Sequence, residues 1–130
     1  MLAGDPKDLR ILAAALDVEH QQIAFYKVGV RLSDAPIVPA ILRQERAHAA
    51  AIAEAIRELG GTPAPARPIA RFALARGYDA WRQEAIRREE AWSAGYAALI
   101  PKLANERLRA TFGALMTTEA EHAVALDVAG

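Results

Sequence analysis

Two short segments of the sequence pair a glutamate with a histidine three residues later. They read ERAH at 45–48 and EAEH at 119–122. Because residues three apart lie side by side on a helix, each segment would present a carboxylate oxygen and an imidazole nitrogen at one point. Such a mixed ligand set suits iron or manganese better than structural zinc, which favours thiolates. Glu45, His48, Glu119 and His122 are therefore candidate metal ligands.

Two further glutamates occupy matching positions in the two halves of the chain. EHQQIAFY at 19–26 aligns with EEAWSAGY at 89–96, and each segment begins with glutamate and ends with tyrosine. Together with the ExxH segments, this similarity indicates a duplicated helix hairpin. Glu19 and Glu89 are the remaining candidate ligands, and we expect each of them to bridge two metal ions.

The elements that must position these residues are four long helices. Apolar residues recur at alternating spacings of three and four, which is typical of helices with one buried stripe. The predicted helices span about 6–33, 37–59, 79–103 and 105–128. All six candidate ligands fall on these apolar stripes, so we expect them to point into the core.

One long connection separates the two predicted hairpins. It spans about 60–78, begins at the pair Gly60 and Gly61, continues through the proline-rich TPAPARP at 62–68, and could hold a short helix within 69–79. A connection of this length can cross the whole bundle and let the second and third helices run parallel. The sequence therefore predicts an all-α four-helix bundle in up-down-down-up order rather than a simple meander.

The predicted burial of four carboxylates needs compensation. An unpaired buried carboxylate costs several kcal/mol, a large part of the stability of a small domain. Two divalent cations would balance the four carboxylates, while the two histidines would bind as neutral donors. The pattern therefore predicts a site for two iron or manganese ions.

The order E…ExxH…E…ExxH, on two hairpins joined by a long crossover, resembles the ferritin-like di-iron carboxylate superfamily. The pattern is most similar to that of bacterioferritins and small bacterial ferritin-like proteins, over nearly the whole chain. The resemblance implies a dinuclear iron or manganese centre that reacts with oxygen or peroxide, with ferroxidase, peroxidase or catalase-like activity. A homodimer is expected by analogy. The implied metal ligands are Glu19, Glu45, His48, Glu89, Glu119 and His122.

Some members of this superfamily fit the sequence less well. The sequence resembles rubrerythrins, but these proteins have an additional glutamate on the third helix, at the position that Trp92 occupies here. They also usually have a cysteine-ligated module, whereas this chain has no cysteine. A self-contained rubrerythrin electron chain is therefore not expected. Storage ferritins have longer helices and a short fifth helix that builds their cage, whereas the sequence stops at Gly130. Bulk iron storage in a closed shell is not expected either.

Several assignments stay open from the sequence. Glu90 competes with Glu89 for the third-helix position, and Glu89 is favoured because it is in phase with Tyr96. Tyr26 and Tyr96 either pack in the core or act beside the metals, holding a carboxylate or relaying an electron. The alternative to an enzyme is a metal-binding or stress-associated structural module, or a metal-free descendant of the fold that acts through protein contacts.

Composition limits the remaining classes of function. The 130 residues are 53% hydrophobic, which suits a single domain over 1–130. Sixteen basic and sixteen acidic residues balance, which argues against a nucleic-acid partner. No apolar run approaches membrane length and the N-terminus lacks the features of a signal peptide. We therefore expect no membrane partner and a cytoplasmic location.

Overall fold

The computed structural model describes residues 4–67 and 77–129. Within these ranges there is no strand, and the predicted all-α class is confirmed. Of the short helix expected within 69–79, residues 69–76 lie outside the described residues. Residues 77–79 belong to the third long helix. The helices are α1 (Pro6–Leu32), α2 (Ile37–Glu58), α3 (Gly77–Leu99) and α4 (Glu106–Ala129), with a 3-10 helix at Ile100–Lys102.

Local capping signals set the ends of the first hairpin. Asp5 accepts a hydrogen bond from a backbone N–H of the first turn of α1, and Pro6 follows it, where a missing N–H costs nothing. Gly60 follows the C-terminal end of α2 by two residues, and its φ of 86° is in the left-handed region. The N–H groups of Gly60 and Gly61 both bond back to carbonyls in the last turn of α2, at 2.9 Å each. This glycine motif satisfies carbonyls that would otherwise have no partner.

Asp8 joins the start of α4 to the start of α1. The chain leaves α3 through the 3-10 helix at Pro101, which cannot donate the hydrogen bond that would continue an α-helix. Asp8 is 1% exposed and accepts the backbone N–H groups of Ala104 at 2.9 Å and Asn105 at 3.0 Å. The Asn105 side chain in turn accepts the N–H of Leu108 at 3.1 Å and caps α4. α1 and α4 therefore begin at the same end of the bundle.

Contacts between the helices give the order of the bundle. The N–H of Gly4 bonds the carbonyl of Leu59, so α1 and α2 form an antiparallel hairpin. Hydrogen bonds from Arg82 to the Leu126 carbonyl and from Ser93 to the Met116 carbonyl show the same for α3 and α4. Between hairpins, α1 packs beside α3 and α2 beside α4.

Because α1 and α4 begin together, α2 and α3 both run the opposite way and are parallel. The predicted pair of antiparallel hairpins joined by a long crossover is confirmed. Among the described residues, no helix has both the length and the apolar character that a membrane span requires.

Two apolar clusters fill the bundle on either side of a polar layer. Along α1, Glu19 falls between Leu16 of the first cluster and Phe25 of the second. Along α4, Glu119 falls in the same way between Leu115 and Leu126. This arrangement encloses the polar layer in the middle of the bundle. Its buried members are Glu19, Gln22, Glu45, Glu89, Glu119 and His122.

Candidate metal centre

The structure brings all six predicted ligands together in the polar layer. The four glutamates have 0% exposed surface, and His122 has 4%. The side chain of His48 keeps 12% of its surface exposed and lies at the edge of the layer. α1 and α3 contribute Glu19 and Glu89, α2 contributes Glu45 and His48, and α4 contributes Glu119 and His122.

The ligand atoms form two overlapping clusters, and within each cluster they lie within 4.8 Å of one another. Glu45 and Glu119 belong to both clusters, whereas Glu19 and Glu89 belong to one each. This grouping favours the ExxH glutamates over the lone glutamates as the carboxylates that two metals would share, and the bridging role of Glu19 and Glu89 stays a prediction. α2 packs beside α4 as α1 packs beside α3, but only the ExxH carboxylates of α2 and α4 belong to both clusters. The first cluster is Glu19, Glu45, His48 and Glu119, and the second is Glu45, Glu89, Glu119 and His122.

Tyr26 and Tyr96 hold the two unshared glutamates in a reciprocal way. The Tyr26 hydroxyl on α1 donates to Oε1 of Glu89 on α3, and the Tyr96 hydroxyl on α3 donates to Oε1 of Glu19 on α1, both at 2.5 Å. Both rings are buried, with 0% and 4% of their surface exposed. Each tyrosine thus fixes the carboxylate of the opposite hairpin, which draws Glu19 and Glu89 towards opposite sides of the site.

The two histidines face each other across the shared carboxylates. Their rings are stacked, with centroids 6.2 Å apart and planes inclined by 19°. Nδ1 of His48 lies 3.0 Å from Oε1 of Glu119. Nδ1 of His122 lies 3.1 Å from Oε1 of Glu45 and 3.4 Å from Oε1 of Glu89. Each imidazole therefore presents Nδ1 to the interior of its cluster.

A family model for the ferritin-like domain matches residues 7–129. The chain belongs to the ferritin-like domain family. The match spans all four helices, and it confirms the resemblance that the two ExxH segments and their partner glutamates suggested.

A solved structure shares the ferritin-like fold of this chain. It is the crystal structure of a conserved hypothetical protein, Rv2844, from Mycobacterium tuberculosis. The two chains have a TM-score of 0.80 and 23% sequence identity, over 93% of this chain and 88% of Rv2844. At this identity the similarity concerns the fold alone. No curated protein matches the chain significantly.

The buried atoms of this ferritin-like site fit cations. Carboxylate oxygens accept hydrogen bonds, and a buried acceptor without a donor costs about 1–3 kcal/mol. A divalent cation would satisfy several such atoms at once, so the donor set could hold metal. The buried ligand atoms without a hydrogen-bond partner among the described residues are Oε2 of Glu19, Glu89 and Glu119, both oxygens of Glu45, and Nδ1 of His122. Nδ1 of His122 and Oε1 of Glu45 lie 3.1 Å apart but are not aligned for a hydrogen bond.

Burial and neighbouring groups shift the pKa values of three carboxyls in the ferritin-like core in different directions. Burial, reinforced by the neighbouring Glu45, raises the pKa of Glu19 to about 10. Burial also raises the pKa of Glu119 far above its usual range. At Glu45 burial acts in the same direction but is outweighed by the imidazoles of His122 and His48, and its pKa falls to about 2. Without a cation the site therefore retains protons on carboxyl groups, and cation binding would displace them.

The competing candidate on α3 lies outside the two clusters. Glu90 is exposed and belongs to neither cluster, whereas Glu89 is buried and belongs to one, which favours Glu89 as the candidate ligand on α3. Gln22, one turn after Glu19, is fully buried, and neither of its amide atoms has a hydrogen-bond partner among the described residues.

Gln44 is a neighbour of the site that the sequence pattern did not predict. It directly precedes Glu45 on α2 and is exposed at the surface. Its side-chain oxygen accepts a hydrogen bond from Nε2 of His122 on α4. Helical periodicity gave no signal here because Gln44 lies beside the apolar stripe rather than on it.

Proposed function

We propose that the protein binds two iron or manganese ions and acts as a ferroxidase-like or peroxidase-like oxidoreductase. Glu45 and Glu119 would be shared by both ions. Glu19 with His48 would complete one position, and Glu89 with His122 the other. The observation that carries the proposal is the set of buried ligand atoms that have no partner among the described residues although they lie between two apolar clusters.

The residues of the site suit a metal ion that changes its oxidation state in a core with little access to water. Iron or manganese bound here would supply redox chemistry with oxygen or peroxide, as is usual for mixed carboxylate and imidazole sites. Tyr26 and Tyr96 keep Glu89 and Glu19 in place by hydrogen bonds to one oxygen, which leaves the other oxygen of each free to bind. The two apolar clusters limit the access of water to the carboxylates.

The second candidate is a non-enzymatic role as a metal-binding or stress-associated module, or as a metal-free descendant of the family. One observation favours it: the polar layer already contains hydrogen bonds of its own, including both tyrosine–glutamate contacts and the contact of His48 with Glu119. The homodimer, the cytoplasmic location and a single domain over 1–130 stay predictions from the sequence.

Metal analysis followed by an oxidation assay tests the proposal. Protein purified without chelator should contain about two iron or manganese ions per chain, and the metal-free protein should oxidise added iron(II) with consumption of oxygen or peroxide. Glu45→Ala or Glu119→Ala should lower the rate by more than about 10-fold, because each removes a ligand from both metal positions. Loss of a residue that only supports a ligand already lowers metal affinity or activity by about 10–100-fold.

Glu90→Ala is the matched control, since Glu90 is exposed and lies outside both clusters. Its rate should equal that of the unaltered protein. Absence of bound metal, or equal turnover in Glu45→Ala, would overturn the oxidoreductase proposal. Tight metal binding without oxidation would favour the non-enzymatic candidate instead.

A further inference from the structure

The two halves of the site differ outside the ligand set. At the second cluster, Nε2 of His122 donates to the side-chain oxygen of Gln44, the residue before Glu45. The matching residue before Glu119 is Thr118, whose hydroxyl donates instead to the carbonyl of Ala114 in its own helix at 3.0 Å. The duplicated hairpin therefore supplies an outer partner to one histidine and withholds it from the other.

His48 lacks the support that His122 receives. Among the described residues, no side chain forms a hydrogen bond with Nε2 of His48, and the polar contacts of this histidine with carboxylates all involve Nδ1. His48 is also the more exposed of the two, with 12% of its side-chain surface accessible against 5% for His122. The otherwise reciprocal site, with equal tyrosine–glutamate contacts on both sides, is thus asymmetric at its histidines.

This asymmetry has a consequence for metal affinity. A ligating histidine whose outer N–H is held by an acceptor has a fixed tautomer and a fixed ring orientation, and its inner nitrogen is kept as a lone-pair donor. Gln44 holds the ring orientation of His122 through Nε2, so Nδ1 is already directed at the carboxylates of the second cluster. Within the described part of the chain His48 has no outer acceptor, and its Nδ1 is already engaged with Oε1 of Glu119 at 3.0 Å. It has to give up that contact when it binds a cation, which weakens the first cluster by the free energy of the lost hydrogen bond.

We propose that Gln44 is a positioning residue that makes the His122 cluster the tighter of two metal positions, so that the first divalent cation enters there. The second cation then enters the His48 cluster. The inference rests on the proposed metal binding and deepens it, because it assigns an order of loading to the two clusters. The exposed position of Gln44 allows it to be changed without disturbing the core.

A titration of the metal-free protein with manganese(II) or cobalt(II), followed by calorimetry and by the spectrum of the bound ion, tests the order of loading. The unaltered protein should bind two ions in two resolved steps. Gln44→Leu should weaken the tighter step by about 10–100-fold and leave the weaker step unchanged. Gln44→Glu should retain the tighter step that Gln44→Leu loses, because a carboxylate oxygen also accepts a hydrogen bond from Nε2–H of His122.

Variants at the matching position provide the controls. Thr118→Ala should leave both steps unchanged, since the Thr118 hydroxyl bonds within α4. Thr118→Gln places the acceptor at the matching position of the other hairpin and should strengthen the weaker step. His122→Ala should abolish the tighter step and His48→Ala the weaker one, which assigns each step to its cluster.

Two results would overturn the inference in distinguishable ways. If two ions bind but Gln44→Leu retains the tighter step, Gln44 does not set the order of loading, while the proposed metal binding stands. If the unaltered protein binds no ion at all, the proposed function fails and the order of loading fails with it.

Discussion

The hydroxyl of Tyr96 on α3 donates to Oε1 of Glu19 on α1 at 2.5 Å, across the boundary between the two hairpins. Both side chains are buried, and the other oxygen of Glu19 has no partner among the described residues. The same relationship recurs between Tyr26 and Glu89. These two contacts tie the halves of the duplicated bundle together at the level of the candidate metal centre.

Replacing either tyrosine by phenylalanine should therefore destabilise the metal-free protein. In Tyr96→Phe both oxygens of Glu19 would be buried without a partner, so the free energy of unfolding should fall by about 1–3 kcal/mol. Urea denaturation in the presence of a chelator measures this. Tyr78→Phe is the control, because the Tyr78 hydroxyl is buried without a hydrogen-bond partner among the described residues. Removal of the Tyr78 hydroxyl should leave the free energy of unfolding unchanged or slightly higher. An equal decrease in both variants would contradict a stabilising role for the Tyr96–Glu19 hydrogen bond.

The metal-free protein should become less stable as the pH rises from 5 to 9. Burial raises the pKa of Glu19 from 4.5 to about 10. At His122 burial lowers the pKa, but Glu45 and Glu89 outweigh it and raise the value from 6.5 to about 9. A group with a raised pKa stabilises the fold fully below its unfolded pKa and loses that contribution as the pH passes through the folded value. Glu45, with a lowered pKa of about 2, contributes a constant amount over this range.

Thermal unfolding with chelator at pH 5, 7 and 9 checks the direction. The midpoint should fall by about 5 °C or more between pH 5 and pH 9, given that 1 kcal/mol corresponds to roughly 3–4 °C for a chain of this size. Saturating manganese(II) should reverse the trend, because cations bind the deprotonated carboxylates. Glu19→Gln should flatten it. A midpoint that rises with pH in the chelated protein would contradict the assignment.

Gly29→Ala should destabilise the second apolar cluster. A Cβ atom at Gly29 would lie 2.2 Å from Cζ2 of Trp81, which is 6% exposed and donates its indole N–H to the Phe25 carbonyl at 3.1 Å. Trp81 cannot move without losing that hydrogen bond, so the cost should be about 1–3 kcal/mol.

The matched substitution Gly95→Ala should have the opposite sign. Gly95 lies within α3, and a Cβ atom there would meet no atom within 4 Å. Alanine restricts the unfolded chain and favours the helix, so a gain of about 0.5–1 kcal/mol is expected. Denaturant unfolding of both variants measures the difference, which would be close to zero if Trp81 adapted freely.

The sequence by itself determined the helices, their order and the faces that are buried. Spacings of three and four identify the azimuth of a residue on its own helix, so they placed Glu19, Glu45, Glu89 and Glu119 on the inner stripes. The duplicated pattern and the long connection were enough to predict two hairpins in up-down-down-up order. These features are local, since each depends on one helix or on the length of one loop.

The tertiary structure alone decided how the helices are offset along the bundle and which of them are neighbours. Periodicity carries no information about that offset, because sliding one helix along another changes no spacing within either. This offset brings Glu45 and Glu119 to a level at which each belongs to both clusters. The same offset pairs Tyr26 with the glutamate of the opposite hairpin and sets Gln44 behind His122 but no equivalent residue behind His48.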